Sequence, residues 1–210
     1  ERGGEWGIYR TVLKDKKDKY FTFASEIEEE RISPAGEICF QPMVSPDGEK
    51  VAYLRNRAEI VVANADGSKP KTLLKGVNFS YSDGDLPFEW SPDSRWILTT
   101  YQGGGRMYNE DIALINVEDG TLTDLTESGY SDVAFRWAMG GKAMTWESDK
   151  AGYRSHGSWG AEGDIYIMFL DDEAFMEFTK SEDVTKIEKL LKSEKEEKKE
   201  AKKEERDSAK

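Results

Sequence analysis

The turn sequence Ser-Pro-Asp occurs twice, at residues 45–47 and 91–93, and the two copies lie 46 residues apart. Each stands just ahead of a hydrophobic, β-branched run. A period of that length marks a repeat architecture, in which one unit cannot bury its apolar surfaces without a neighbour. The local chemistry agrees. In Ser45-Pro46-Asp47-Gly48 the serine can bond back from the first position, the proline presets φ at the second, and the glycine relieves the fourth. Residues 51–54, Val-Ala-Tyr-Leu, read as a strand. The turn and its flanks therefore predict a hairpin.

The repeat extends further. "EIVVANADGSKPKTLL" from Glu59 and "DIALINVEDGTLTDLT" from Asp111 share an acidic residue, an Ile, an apolar strand, an Asp-Gly turn and a short strand ending near Leu. A degenerate third copy runs through "RWAMGGKAMTWES" from Arg136 and "DIYIMFLDDEAFMEFT" from Asp164. Trp90 and Trp137 are 47 residues apart, and Ile60, Ile112 and Ile165 follow at 52 and 53. The intervals stretch because the loop in the middle of the unit grows. Gly48 becomes Ser94, and the third copy keeps "AMGG" at its turn. Ahead of them, "WGIYRTVLKDKKDKYFTFAS" from Trp6 reads strand, charged turn, strand, like the second half of a unit.

Each unit is then a meander of four short strands, the inner one ending at the tryptophan. The fold class expected is all-β: a partial β-propeller of three recognisable four-stranded blades and part of a fourth, with a charged C-terminal helix. Residues 1–41 form the partial blade and a connecting strand. Residues 42–180 hold the repeats, at about 42–76, 86–127 and 133–180, and residues 181–210 the helix or linker. "EIVVANA" and "ILTTY" place apolar residues on both strand faces, as a sheet between two neighbours requires. Trp90 and Trp137 are expected to fill the packing between blades rather than to stack on a ligand.

"SPDGEKVAY" and "EIVVANADGSKPKTLL" resemble the propeller repeats of TolB and of tricorn-like peptidases. "FSYSDGDLPFEWSPDS" from Phe79 and "GYRSHGSWGAEGDIYIMF" from Gly152 narrow the resemblance to tricorn-like serine peptidases of the bacterial periplasm, of the Bacteroidetes type. It covers Trp6 to about Lys192. It implies a noncatalytic propeller that guides or filters peptides for a serine peptidase domain elsewhere, beyond a second propeller-like region and a PDZ domain. It also implies a periplasmic or otherwise exported protein. The alternative is a TolB-like interaction scaffold with no proteolytic role. A lectin-like propeller would have only the surface aromatics in its favour. At about 45 residues per blade a six-bladed ring needs roughly 270 residues, so the chain is expected to be a piece of a longer protein. With Glu1 first and no cationic-plus-apolar leader, any export signal is expected upstream. Incomplete end blades would leave an apolar face and unpaired edges, so the chain is expected either to self-associate through its end blades as an open arc or to close as a compact four-bladed ring.

Charge and special residues bound the chemistry. The chain carries 42 acidic and 30 basic residues, a net charge of −12. Residues 181–210 contain ten of each sign, so the whole excess belongs to residues 1–180. That balance argues against a nucleic-acid partner. No apolar run is long enough to span a membrane. Cys39, the only cysteine, reads as a buried inert thiol. His156, the only histidine, cannot build a multi-histidine metal site, nor act as base for the adjacent Ser155. No catalytic set, metal site or cofactor motif is expected. Asp83 and Asp85 in "SDGD" read as a solvated turn before a calcium site. The candidate contact residues for peptide or for other domains are Tyr153, Arg154, His156 and Trp159 in the loop "GYRSHGSWG", with Arg106 in "YQGGGRMYNED". Glycines permit tight backbone there, and aromatic and cationic side chains can stack or bind carboxylates. In the tail, Ser181 can cap a helix, and Val184, Ile187, Leu190 and Leu191 recur at helical spacing, which predicts a docked face. From Lys192 onward only Ala201 and Ala209 are apolar.

Overall fold

The two Ser-Pro-Asp turns adopt one geometry. The Ser45 hydroxyl donates to Asp47 Oδ1 at 2.6 Å and accepts from the Lys50 N–H at 2.9 Å. Ser91 does the same with Asp93 at 2.5 Å and the Trp96 N–H at 2.9 Å. Gly48 and Ser94 both take positive φ, 77° and 60°. Glycine meets that φ without a Cβ in the first copy, and Ser94 holds it in the second while its Oγ accepts from the Asp47 N–H. The computed structural model that shows these turns describes residues 1–82, 84–103, 109–153 and 160–208. They divide into two compact units, residues 1–168 and 169–210.

The turns join strands of antiparallel meanders. Strands β1 (Tyr9–Leu13) and β2 (Ile27–Arg31) form a hairpin. β3 (Cys39–Val44), β4 (Lys50–Arg55), β5 (Glu59–Asn64) and β6 (Lys71–Lys75) form a four-stranded sheet in sequence order. β7 (Phe88–Trp90), β8 (Trp96–Tyr101), β9 (Asp111–Asn116) and β10 (Leu122–Asp124) form a second. β11 (Asp132–Ala138), β12 (Ala143–Ser148) and β13 (Asp164–Phe169) form a three-stranded sheet. The blade reading of the repeat therefore holds.

Three apolar cores lie along the series of sheets. Successive side chains on a strand point to opposite faces, so β4 divides its residues. Val51 and Tyr53 join a core with Ile8, Cys39, Val61 and Ala63, against the β1–β2 hairpin. Ala52 and Leu54 join Ile60, Val62, Leu74, Phe88, Trp90, Ile97 and Ile115, between the first and second four-stranded sheets. Leu98, Ile112, Phe135 and Met144 make the third core, between the second sheet and β11–β13, with Trp137, Trp146 and Met168 packed against it. Trp90 and Trp137 thus fill inter-sheet space as expected. The Trp90 indole N–H also donates to the Met43 carbonyl at 2.9 Å, tying β7 to β3. At the far end of the first sheet, Gly67 (φ 80°) lies so close to the Ile32 backbone that a Cβ there would collide with it.

Two expectations need correction. The third repeat does not make its fourth strand. Asp171 caps a helix, α1 (Asp172–Thr179), by accepting from the Ala174 N–H at 2.7 Å, and Asp172 and Glu173 sit in its first turn. "DDEA" supplies a helix start where the other repeats have Asp-Gly, so the hairpin turn is lost. The partner of β1 is "IEEER" and not the stretch around Tyr20 to Phe23. Arg10 pairs with Glu30, and Lys14 with Glu26 at 3.1 Å, so cross-strand charge selects this register. Residues 21–23 form a 3₁₀ turn with Phe21 and Phe23 exposed. In the second unit, α2 (Glu182–Ser208) starts at Ser181, whose hydroxyl accepts from the Val184 N–H at 3.4 Å. Val184, Ile187, Leu190 and Leu191 recur along this helix at the expected helical spacing.

Candidate functional site

The meanders give the sheets two unlike ends. At one end the short turns touch each other. The Asp47 N–H donates to Ser94 Oγ at 3.1 Å, and a Cβ on Gly141, in the third turn, would lie 3.1 Å from Pro92 Cδ. At the other end lie the long connections, β8 to β9 and β12 to β13. Tyr101 pairs with Asp111 and Ser148 with Asp132 at the last positions of their ladders. The Asp132 N–H donates to the Glu110 carbonyl at 2.8 Å and the Ser128 N–H to Asp111 Oδ1 at 2.9 Å, so the two ladder ends adjoin.

Among the sequence candidates, Tyr153 belongs to this end. It is exposed, and its carbonyl accepts from the Glu162 N–H at 2.9 Å across the base of the loop. Arg106, Arg154, His156 and Trp159, together with Ser155 and Asp83, lie outside the described residues. Asp85 holds its own turn, accepting from the Tyr81 and Ser82 N–H groups at 2.8 and 2.7 Å. Burial would raise its carboxyl, but these bonds and those from the Ser80 and Ser82 hydroxyls hold it below the usual range. Among the described residues no group of three His, Cys, Asp or Glu could hold a metal. Cys39 is buried, and desolvation pushes its thiol up, which suits a packing role.

Beside the adjoining ladder ends is a cleft of about 100 Å³, lined by Leu125, Thr126, Ser128, Asp132, Trp146, Ser148, Lys150, Tyr166 and Met168. Its geometry follows from strand alternation. Met144, Trp146 and Ser148 share one face of β12, and Tyr166 and Met168 share one face of β13. Trp146 and Tyr166 stack with centroids 5.6 Å apart. Asp132, at the start of β11, is 1% exposed. Its Oδ2 accepts from the Ser128 hydroxyl at 2.6 Å and its Oδ1 from the Trp146 indole N–H at 3.3 Å. Ser148 is 2% exposed, and its hydroxyl has no hydrogen-bond partner among the described residues. Next to the cleft, burial raises the Asp124 carboxyl, N–H bonds from Glu127 and Thr126 offset part of this, and the nearby Asp111 adds to the rise.

Sequence reasoning does not single out Asp132, Trp146, Ser148 or Tyr166. A signal is present in "AMTWES": one face of β12 reads Met, Trp, Ser, and the serine stands where the first two copies have the larger Arg55 and Tyr101. Choosing that face requires knowing which strands flank it.

No family model matches the chain. A tricorn protease homologue from Saccharolobus solfataricus is 30% identical over 87 residues, 41% of this chain and 8% of the relative. Among solved structures, the tricorn protease matches 69% of this chain and 15% of its own, at 15% identity and a TM-score of 0.52. TolB from Acinetobacter baumannii matches 69% of this chain and 33% of its own, at 19% identity and a TM-score of 0.47. The chain therefore spans a small part of the curated relative and of these structures. The likeness to the tricorn protease shows the fold: the meanders described above are blades of the β-propeller kind.

Proposed function

We propose that the chain is a noncatalytic propeller region of a larger, tricorn-like peptidase, and that its loop end handles peptides on their way to a catalytic domain outside residues 1–210. The observation that carries this reading is the agreement of two similarities, 30% identity over 87 residues to a tricorn protease homologue and blade architecture shared with the tricorn protease itself. The loop end supports it, because it presents a cleft lined by Asp132, Trp146 and Tyr166 beside the long connections, whereas the cleft at the turn end is lined by Lys50, Ser94, Arg95, Asn116, Val117 and Glu118 and has no aromatic wall. An exported location belongs to the same reading. So does self-association through the outer face of β13, where Ile165 is 82% exposed. Light scattering across a dilution series tests that point, and a concentration-independent monomer would reject it.

The test of function is to incubate the purified chain with unstructured peptides and measure binding and cleavage separately. Saturable binding without cleavage is expected. Cleavage that disappears in Ser155→Ala or His156→Ala would overturn the noncatalytic assignment. Absence of any peptide binding would favour a scaffold whose partners are folded proteins.

A further inference from the structure

We infer that the cleft between the second four-stranded sheet and β11–β13 binds an ammonium group, carried by a lysine side chain or a free peptide N-terminus. The inference deepens the peptide-handling reading and takes its choice of ligand from it. The acceptor is Asp132. A carboxylate has about four lone-pair sites, and Asp132 uses two of them on neutral donors, Ser128 and the Trp146 indole. It has no ion-pair partner among the described residues, although it is 1% exposed. Buried carboxylates are paired as a rule.

The second observation is independent of the acidic residue. Ser148 stands opposite Asp132 in the ladder, lines the same cleft, is 2% exposed, and offers a hydroxyl with no partner among the described residues. An unsatisfied buried hydroxyl costs stability unless something completes it. An ammonium has three donors, enough to reach both Asp132 and Ser148. The walls suit the rest of the ligand. Trp146 and Tyr166 provide aromatic faces, which attract cations. Leu125 and Met168 provide apolar surface for methylenes. The volume, about 100 Å³, matches a head group and a short stem rather than a whole peptide. The net charge of −12, all carried by residues 1–180, favours a cationic visitor.

Lys150 decides between cation and anion. It lines the cleft and is itself exposed. For an ammonium ligand it is a like charge at the rim, so its removal tightens binding. For a carboxylate ligand it would be the anchor, and its removal would abolish binding.

The experiment uses the whole chain and follows titrations by calorimetry and by the Trp146 indole N–H signal. The probes are N-acetyl-lysine amide, which presents a side-chain ammonium, glycinamide, which presents an α-ammonium, and diacetyl-lysine amide, which has neither. Saturable binding of at least one amine and none of the diacetyl compound is expected, and the better amine identifies the source of the ammonium. Ser148→Ala is expected to weaken binding about tenfold without lowering the melting midpoint of the free chain, since it breaks no existing bond and removes an unsatisfied hydroxyl. Lys150→Ala is expected to tighten binding severalfold. Asp132→Asn is expected to abolish binding, and should that variant not fold, Ser148→Ala and Lys150→Ala carry the test. Equal binding of acetylated and free amines, no effect of Ser148→Ala, or loss of binding in Lys150→Ala would each overturn the inference. A lysine-free, N-acetylated peptide separates the two readings. If it binds while the amines fail, the cleft assignment alone falls. If amines bind while no peptide does, the peptide-handling reading alone falls.

Discussion

The sheet β3–β6 and the sheet β11–β13 come from copies of one repeat and have diverged in what they bury. In the first, Val51, Tyr53 and Val61 face one core while Leu54, Ile60 and Val62 face another, and all six are nearly inaccessible. In the second, Met144 and Phe135 are buried on one face, but Ile165 on β13 is 82% exposed and Ser148 ends the inward row with an unpartnered hydroxyl. The row Val51, Tyr53, Arg55 of the complete copy ends on a guanidinium that is paired with Glu59. The degenerate copy loses its outer strand to α1, and its matching row, Met144, Trp146, Ser148, ends on a hydroxyl without a partner among the described residues. A repeat that keeps its pattern serves the scaffold, and one that drifts makes room for a site.

Core truncation tests this comparison most severely. Leu54→Ala or Ile60→Ala is expected to cost about 2–5 kcal/mol in urea unfolding, and Ile165→Ala to stay within about 0.5 kcal/mol. Similar costs at the two sites would break the contrast. The tryptophans sharpen it at smaller scale. Trp90→Phe removes the indole donor and leaves the Met43 carbonyl behind, a loss of about 1–3 kcal/mol. The Trp137 indole N–H has no partner among the described residues, so Trp137→Phe loses packing alone and is expected to cost less than Trp90→Phe.

Acid titration separates two carboxylates by sign, Glu59 in the β3–β6 sheet and Asp124 on β10 beside the cleft. Burial pushes the Glu59 carboxyl up, but hydrogen bonds and charge from Arg55 and Lys75 hold it below its usual value. Its stabilisation is full above the ordinary carboxylate range and is lost as pH falls through the depressed pKa. Asp124 is raised, chiefly by burial, so its ionised form costs stability at neutral pH and the cost is relieved as pH falls. Glu59→Gln is expected to flatten the acid loss of stability, and Asp124→Asn to raise stability near pH 7, both read from midpoints across a pH series. The smallest effect belongs to α2. Ile187→Ser and Leu190→Ser alter exposed positions, so the thermal midpoint should not move. A clear drop would show a face buried in solution.

The repeat makes the blades legible in advance. Ser45 and Ser91 announce their hairpins because the turn chemistry is local. Trp90 and Trp137 announce packing because a large aromatic ring gains most by leaving water, whichever sheets enclose it. Two elements mislead. "IEEER" carries no apolar alternation, and its pairing with β1, Arg10 opposite Glu30 among it, marks it as a strand only once the fold is known. "LDDEAFMEFT" reads as a strand pair only by analogy with its siblings, whereas its own Asp171, Asp172 and Glu173 are helix-start residues.

What the sequence determined by itself was therefore whatever rests on neighbours along the chain: the turns, the alternating faces of β4 and β8, the charge excess of residues 1–180, and the start of α2 at Ser181. What only the tertiary structure decided was which residues distant along the chain meet. Ser128, Asp132, Trp146 and Tyr166 are up to 38 residues apart. They line one cleft because β11, β12 and β13 are registered side by side and stacked on the β7–β10 sheet. Strand pairing and sheet stacking are set by which faces bury together, and that choice belongs to the whole fold rather than to any local stretch.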